Sequence, residues 1–410
     1  MALRVCVVGA GFAGLAAAAA LADGGVEPVV LEARDRVGGR VCSRRLPGGA
    51  VVELGAEFVE EDQQTLTATA RRFGLALAPT GMAYGDREPR GGLGVDRATL
   101  RAELARLQRL LAERPADADR RSVAAVLAGL PLHPGAREAI AARLQVSAAQ
   151  PVDQLAAGAL DHAGSSFSTR ESLRVAGGNQ RLALRLAERL GGAVHLGVPV
   201  RAVAWSPAGV RVATADGALE ADAAVLAMPA SVTGRVGFDP PLPPWKTAAL
   251  GRVVYGHAAK LFVPLRRPAP PSAVLSVPDH FWTWTARGAD GTVQPVVSAF
   301  AGSAPALARL GVAGGPAEWL ARVRTLRPDL DLDLDESATL LSTWDDDPWV
   351  GAAYSTRAAD ARAGDGELLV RPVGPLHFAG EHSAGPWAGL MEGALRSGER
   401  AAAELLAAGR

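Results

Sequence analysis

Apolar and polar positions change rhythm several times along this chain. Val5, Val7 and Val8 form a short β-branched run at its start, and Phe12 to Ala22 is an alanine-rich stretch of helical length. A second strand pattern, Val26 to Leu31, stops at an acid, Glu32. Helical spacing recurs over Gln63 to Phe73, ending at Gly74. It recurs over Ala98 to Arg114, where leucines at 100, 104, 107, 110 and 111 make one amphipathic face. A further helix follows the proline turn within 131–150, and another runs from Gly177-Gly178 to Leu190. Short strands are expected at Ala193–Leu196, Val200–Ser206, Val210–Thr214 and Ala223–Met228, with Asp216-Gly217 as a hairpin turn. Gly81 to Gly94 reads as a loop or hairpin. Beyond the proline-rich passage Asp239 to Pro244, strands are expected at His257–Val263, Phe281–Thr285 and Val293–Phe300. A helix at Ala317–Thr325, a strand at Leu376–Phe378 and a long helix from Trp387 to Leu406 follow.

The first turn carries chemistry. Gly9, Gly11 and Gly14 have G-x-G-x-x-G spacing between a strand and a helix, and Glu32 closes the next strand. Gly9 permits the tight turn, Gly11 lets backbone approach a pyrophosphate, and Gly14 lets helix and strand pack closely. The pyrophosphate then meets free N–H groups at the helix N-terminus. Glu32 can accept hydrogen bonds from ribose hydroxyls, and its charge would repel a 2′-phosphate, which disfavours NADP. Val5 to Ala22 is also 18 residues without a charge, long enough to suggest a membrane span or signal sequence. The dinucleotide spacing, the single basic residue before the run and the immediate second strand argue against that.

Composition narrows the rest. The 410 residues suffice for two domains or one large one, and 43 basic residues balance 43 acidic ones, so no overall field favours nucleic acid or anionic lipid. Two cysteines, Cys6 and Cys42, cannot build a disulfide framework, and no secretory signal or hydrophobic tail is evident. A soluble, cytoplasmic enzyme is expected. The seven histidines form no metal motif, and no nucleophile elbow supports a Ser-His-Asp order.

Five separated blocks then point to a family. Glu32-Ala-Arg-Asp-Arg-Val-Gly-Gly-Arg40 is followed by Glu53-Leu-Gly-Ala-Glu57-Phe-Val59. Val175-Ala-Gly-Gly-Asn-Gln-Arg-Leu182 comes next, then Trp344, Pro348, Gly351 and Tyr354 in order. Phe378-Ala-Gly-Glu-His382, with Leu390-Met-Glu-Gly393 and Ser397-Gly-Glu-Arg-Ala401, closes the series. In order and approximate spacing the chain resembles the flavin-containing amine oxidases, the monoamine/polyamine oxidase superfamily. The resemblance implies an α/β fold: an FAD-binding Rossmann-like (glutathione-reductase-like) domain with a discontinuous α+β substrate domain. The FAD domain would comprise residues 1–75, 175–250 and 355–410, and the substrate domain 76–174 and 251–354.

The same resemblance implies roles for individual residues. Arg34, Gly39, Arg40, Val200, Gly380, Glu381 and Met391 would join Gly9, Gly11, Gly14 and Glu32 in holding FAD. Val200 would hold the adenine by backbone, and Arg40 would reach the pyrophosphate or flavin edge. Glu381 would accept from hydroxyls or backbone N–H groups. Met391 would stand near the start of a helix aimed at the pyrimidine end of the flavin. Lys260 matches the family lysine that reaches a water bridged to flavin N5; a lysine at a strand edge is the plainer alternative. Tyr354 matches one aromatic wall of the substrate cage. At the other the chain has Leu390, so the sandwich is incomplete unless Trp387 or Trp349 compensates. Trp282 and Trp284 share one strand face and read more readily as core than as cage. Ala353 stands where some monoamine oxidases carry a cysteine bonded to flavin, so FAD is expected to be non-covalent. Glu60 aligns best with an acid that faces cationic substrates, and equally reads as a solvated residue near a helix N-terminus. His382 and His257 either line the flavin site or are structural hydrogen-bonding residues.

The expected activity is oxidation of an amine C–N bond to an imine, hydrolysed to a carbonyl, with O2 reduced to H2O2. The partners are a small-molecule amine and O2, with no nucleic acid and no membrane; a homodimer is an allowed assembly. No arginine motif for a substrate carboxylate stands out, which favours simple or natural-product amines. Two alternatives stay open at this point: a flavin-dependent C–C desaturase, and a flavin-binding protein without turnover.

Overall fold

A computed structural model describes residues 3–113, 121–160, 168–359, 361–362 and 364–408. Two sheets dominate it. The first is a five-stranded parallel sheet, in the order Leu376–Phe378, Ala223–Leu226, Arg4–Val8, Glu27–Leu31 and Val194–His195. Its strands come from the start, middle and far end of the chain.

Strand alternation divides the side chains between two cores. Val5, Val7 and Val30 face a helical layer made by the first helix, Phe12–Asp23, the helix Gln180–Leu190 and the terminal helix Met391–Ala408. Cys6, Val8 and Leu31 face the opposite way, onto a four-stranded meander ordered Ala218–Ala221, Gly209–Ala213, Ala202–Ser206 and Gly237–Asp239. The first helix is therefore covered on nearly every side, which is why it can be apolar all round. Among the described residues, no helix is long and apolar enough to cross a membrane.

The second sheet has six strands: Leu340–Thr343, Ala258–Pro264, Val296–Gly302, Phe281–Thr285, Ser272–Ser276 and Glu88–Arg90. Ala259, Leu261, Val263, Val297 and Ala299 pack on one face against Trp319, Leu320 and Val323 of the helix Ala317–Leu326. Lys260, Trp282, Trp284 and Phe300 alternate onto the other face. Lys260 lies directly opposite Phe300, which lies opposite Trp282. The Lys260 strand is paired on both sides, so this lysine is not an edge residue.

The differences from the sequence reading are local. The Gly81–Gly94 stretch contains a strand, Glu88–Arg90, that pairs in parallel with Ser272–Ser276, itself a strand the pattern did not signal. The terminal helix begins at Met391 rather than Trp387, because Gly385–Trp387 forms a short 3₁₀ turn and Gly389 takes φ +81°. The helix expected to end at Arg114 is described from Arg97 to Ala112; residue 114 lies outside the described residues.

The terminal helix docks in two ways. Glu392, fully buried, accepts from the backbone N–H groups of Thr65 and Leu66 at 3.0 and 2.8 Å, capping the helix Gln64–Arg72. Gly398 lets its backbone press on the first helix: a Cβ there would lie 2.1 Å from the Ala13 carbonyl oxygen and 2.9 Å from the Ala17 nitrogen. Gly398→Ala is therefore expected to destabilise the protein by about 1–3 kcal/mol through overpacking. Gly234→Ala has nothing within 4 Å of the new Cβ and should stay within about 0.5 kcal/mol of the parent. Urea denaturation of the two variants checks the contrast.

Candidate functional site

A cavity of about 870 Å³ is walled by the carboxyl ends of the first parallel strands and by the Lys260 face of the second sheet. This is where ligands lie in open α/β sheets. The glycine turn forms its floor. Gly9 takes φ +103° and donates its N–H to the Leu31 carbonyl at 2.8 Å. A Cβ on Gly14 would lie 1.9 Å from the Gly9 oxygen, so the third glycine serves packing, and it is the one residue of the expected set that does not line the cavity. Gly11, at φ −72°, caps the first helix and has nothing within 4 Å of where its Cβ would be. Gly39, at φ +58°, completes the close approach, since a Cβ there would be 3.3 Å from the Gly11 Cα.

Glu32 is buried, and its carboxylate accepts from the N–H groups of Ala10 (2.7 Å) and Arg34 (2.9 Å). The Arg34 side chain reaches across to Asp347. Arg40 donates to the Ala353 carbonyl at 2.6 Å and to Glu381 at 2.9 Å. Glu381 also receives Ser355 N–H and Oγ–H and the Gly389 N–H. Burial alone would raise its carboxyl; Arg40, His382 and these donors outweigh burial and hold it below the usual carboxylate value. Arg40 and Glu381, expected to serve the cofactor directly, are thus first of all partners of each other. Val200, Gly380 and Met391, the last at the first position of the terminal helix, complete the lining.

The residues present fit a flavin dinucleotide. The space above Gly11 is a cradle that a side chain would fill, and it opens at a helix N-terminus where a diphosphate is favoured. His382 lines the same cavity and is buried with an Nδ1 that has no hydrogen-bond partner; burial pushes its imidazole down to about 4, so it is neutral there.

The opposite wall is aromatic. Phe58, Tyr84, Trp282 and Trp284 pack with ring centroids 4.2–5.8 Å apart, and all four, with Phe300, line the cavity. Trp282 and Trp284 are thus core and wall at once. Tyr84 lies in a glycine- and charge-rich segment, and no sequence signal singled it out. Behind the wall Arg87 is buried between the faces of Tyr84 and Trp282, 4.2 and 3.9 Å from their centroids. Tyr354 donates its hydroxyl to the Ser147 carbonyl at 2.6 Å, and burial pushes this phenol up, so it remains a neutral donor. Leu390, Trp387 and Trp349 also line the cavity; Leu390 is 40% exposed, and the Arg396 guanidinium covers Trp387 at 4.7 Å. Glu60 is half-buried, accepts from Ser172 Oγ at 2.8 Å, and is raised by burial. His257 pairs with Asp345 at 3.0 Å and does not line the cavity, and His162 lies outside the described residues.

Lys260 is the one lysine on the cavity wall. Its side chain is 7% exposed, and its ammonium donates to Glu57 Oε2 at 2.7 Å and to the Glu53 carbonyl at 2.9 Å. Breaking such a buried pair from one side costs about 3–5 kcal/mol. The acid that meets Lys260 is Glu57, which the sequence reading noted only as one of an acidic cluster.

With this geometry in place, the comparisons decide the family. The family model for flavin containing amine oxidoreductases matches residues 12–406. The chain belongs to that family. This amine oxidoreductase uses FAD and acts on amine donors. It is 29% identical to the putative flavin-containing monoamine oxidase AofH of Mycobacterium tuberculosis over 459 residues, covering 98% of this chain and 96% of that protein. To human amine oxidase [flavin-containing] B it is 26% identical over 454 residues, covering 98% and 86%. The solved structure of a wild-type putrescine oxidase bound to putrescine superposes with TM-score 0.83 at 25% identity, covering 99% of each chain. The α/β fold with a Rossmann-like FAD-binding half is that of the family.

Two measurements test the site. Gly11→Val is expected to fold as the parent does, because its φ suits any residue, but to purify colourless, because the side chain enters the diphosphate space; flavin absorbance per mole of protein reads this. Glu53 sits beneath Lys260 with Asn179 N–H and Ser43 Oγ donating to it. Burial first, then the neighbouring Glu57 charge, push its carboxyl from 4.5 up to about 7, against those donors and Lys260. The native protein therefore keeps a proton that the unfolded chain has released. Its contribution to stability is full below pH 4.5 and is lost as pH rises through about 7. Glu53→Gln should gain stability over the parent, on the order of 2–3 kcal/mol, between about pH 5 and about pH 8, measured by denaturation at both values.

Proposed function

We propose that this amine oxidoreductase converts a small amine to an imine that water hydrolyses to a carbonyl, with O2 as the acceptor and H2O2 as the second product. When bound, FAD would supply the two-electron redox chemistry that links the amine to O2. The observation that carries the reading is Lys260: a buried ammonium on the cavity wall, on the sheet face that also carries Trp282, Trp284 and Phe300.

The chain's own residues divide the work. Gly9, Gly11, Gly39, Glu32, Arg34, Val200, Gly380 and Met391 hold the cofactor in the five-stranded half, non-covalently, with Ala353 offering no thiol. Arg40 and Glu381 fix the segments on either side of it. The six-stranded sheet and the helix Pro134–Ala148 supply the substrate half. There Tyr354 presents its ring as one wall of the amine's berth, its hydroxyl anchored so that the ring cannot swing. Leu390 is the second wall, with Trp387 beside it. Phe58, Tyr84, Trp282 and Phe300 offer an apolar, aromatic surface to the body of the substrate. Of the acids on the cavity wall that no cation already holds, Glu60 and Asp62 could meet a second ammonium, and burial weakens the charge of Glu60. The cavity therefore suits an amine with an apolar or aromatic body better than a polyamine. Lys260 is the catalytic cation: it stabilises negative charge that develops beside it and orders a water there.

The experiment is peroxide formation by the purified yellow protein across a panel of aryl, alkyl and polyamines. Amine-dependent peroxide, with kcat/KM for O2 falling on the order of 10²-fold in Lys260→Met, is the expected result. Flavin bleaching by a polyene or porphyrinogen, with every amine inert, would replace this reading with C–C desaturation.

A further inference from the structure

Glu57 is an acid held by three donors from three separate parts of the chain. Oε2 receives the Lys260 ammonium at 2.7 Å. Oε1 receives the Arg174 guanidinium at 3.1 Å and the Trp284 indole N–H at 3.3 Å. Its side chain is 3% exposed, and those of Lys260 and Arg174 are 7% and 11%. Lys260 comes from an interior strand of the second sheet, Trp284 from another strand of that sheet, and Arg174 from the strand Leu173–Val175. Glu57 itself lies just past the strand Val51–Glu53, within the lining of the cavity.

This arrangement does not suit a base or a substrate-binding acid. Both of its carboxylate oxygens are taken up by two cations and an indole N–H, which leaves them little reach toward a ligand. Glu60, three residues on, keeps the cavity-facing position with a single serine partner. What Glu57 does instead is fix a neighbour. Lys260 donates to one charged acceptor, Glu57, and to the Glu53 carbonyl oxygen, which carries only a dipole. The Trp284 ring lies 5.6 Å from its ammonium. Arg174 is a second cation at Glu57, and the Glu53 carboxyl, which accepts from Asn179 and Ser43, is the nearby acid that feels both Glu57 and Lys260.

We infer that Glu57 is the positioning residue that keeps Lys260 charged and aimed along the cavity wall, with Arg174 and Trp284 holding the acid in place. The inference rests on the proposed location of the flavin beside Lys260, and not on which amine is oxidised. Removing the anion leaves a buried ammonium with a carbonyl, a ring face and a like charge for company, which favours its neutral form. Glu57→Gln keeps the hydrogen-bonding shape toward Arg174 and Trp284 while deleting the charge.

The test needs no turnover. Flavin absorbance of the holoprotein is followed from about pH 6 to about pH 9, the range into which loss of the anion brings a buried lysine. Four proteins are compared: the parent, Glu57→Gln, Glu57→Asp, and Glu57→Gln combined with Lys260→Met. A spectral step appearing in Glu57→Gln, absent in the parent and abolished in the double variant, is expected. A step from Glu53 would already be present in the parent and moves down when Glu57 loses its charge, so the step that reports Lys260 is the additional one that Glu57→Gln shows and the double variant lacks. In parallel, reoxidation of the reduced protein by O2 should slow about tenfold in Glu57→Gln at the alkaline end and match the parent at the acid end. Anaerobic reduction by amine should change little. Glu57→Asp, which keeps the charge at shorter reach, should lie between parent and Gln; if Glu57→Gln does not retain flavin, the Asp variant carries the comparison. Spectra and reoxidation profiles of the Gln or Asp variant that superimpose on the parent's would overturn the inference. The step appearing in a protein that no amine reduces would keep it and discard the amine reading instead.

Discussion

Buried charge, and the need to give each charge a partner, organises this protein around its cavity. Arg40 and Glu381 are separated by 341 positions and meet at 2.9 Å, clamping the loop after the second strand to the segment before the terminal helix. Lys260 and Glu57 meet across 203 positions and tie the six-stranded sheet to the segment that follows the strand Val51–Glu53. Each pair is too desolvated to be left half-made, so the cavity's width is set where side chains insist on contact. The residues expected to touch the cofactor thus hold one another first and present a formed site to it. That is preorganisation in a literal sense: the protein supplies the counter-charges in advance of the ligand.

The parts of this design that were legible in the sequence are the local ones. A glycine turn between a strand and a helix is specified by residues within two dozen positions, and Gly9, Gly11, Gly14 and Glu32 stand where that pattern places them. Phe281–Thr285 and Leu376–Phe378 coincide with their strands because short apolar runs between turn residues leave little choice. Ser272–Ser276 was invisible for the converse reason: flanked by prolines and small polar residues, it gains its identity from Phe281–Thr285 on one side and Glu88–Arg90 on the other. Glu57 was visible as one acid in a cluster. Its distinction from Glu60 depends on Lys260, Arg174 and Trp284, and none of those distances is written in local spacing.

The substrate wall shows the same division. Trp282 and Trp284 alternate onto one face, as the strand period requires, and their burial is what packing alone would predict. That they also bound the cavity follows from Phe58 and Tyr84 arriving from elsewhere in the chain to extend the stack. Leu390 is proposed as the second wall of the amine's berth. A leucine offers dispersion without a π face, so in that role it would select by shape rather than by ring electrostatics.

The order of the parallel sheet has a consequence for biosynthesis. Its outer strand, Leu376–Phe378, and the helix that covers the first helix are translated long after the first strand and helix with which they share a core. Until they emerge, the alanine-rich first helix has one flank bare to water, and Arg40 waits without its acid. Closure of the five-stranded half therefore waits on docking of the helix Met391–Ala408, and the same docking step brings Glu381 to Arg40.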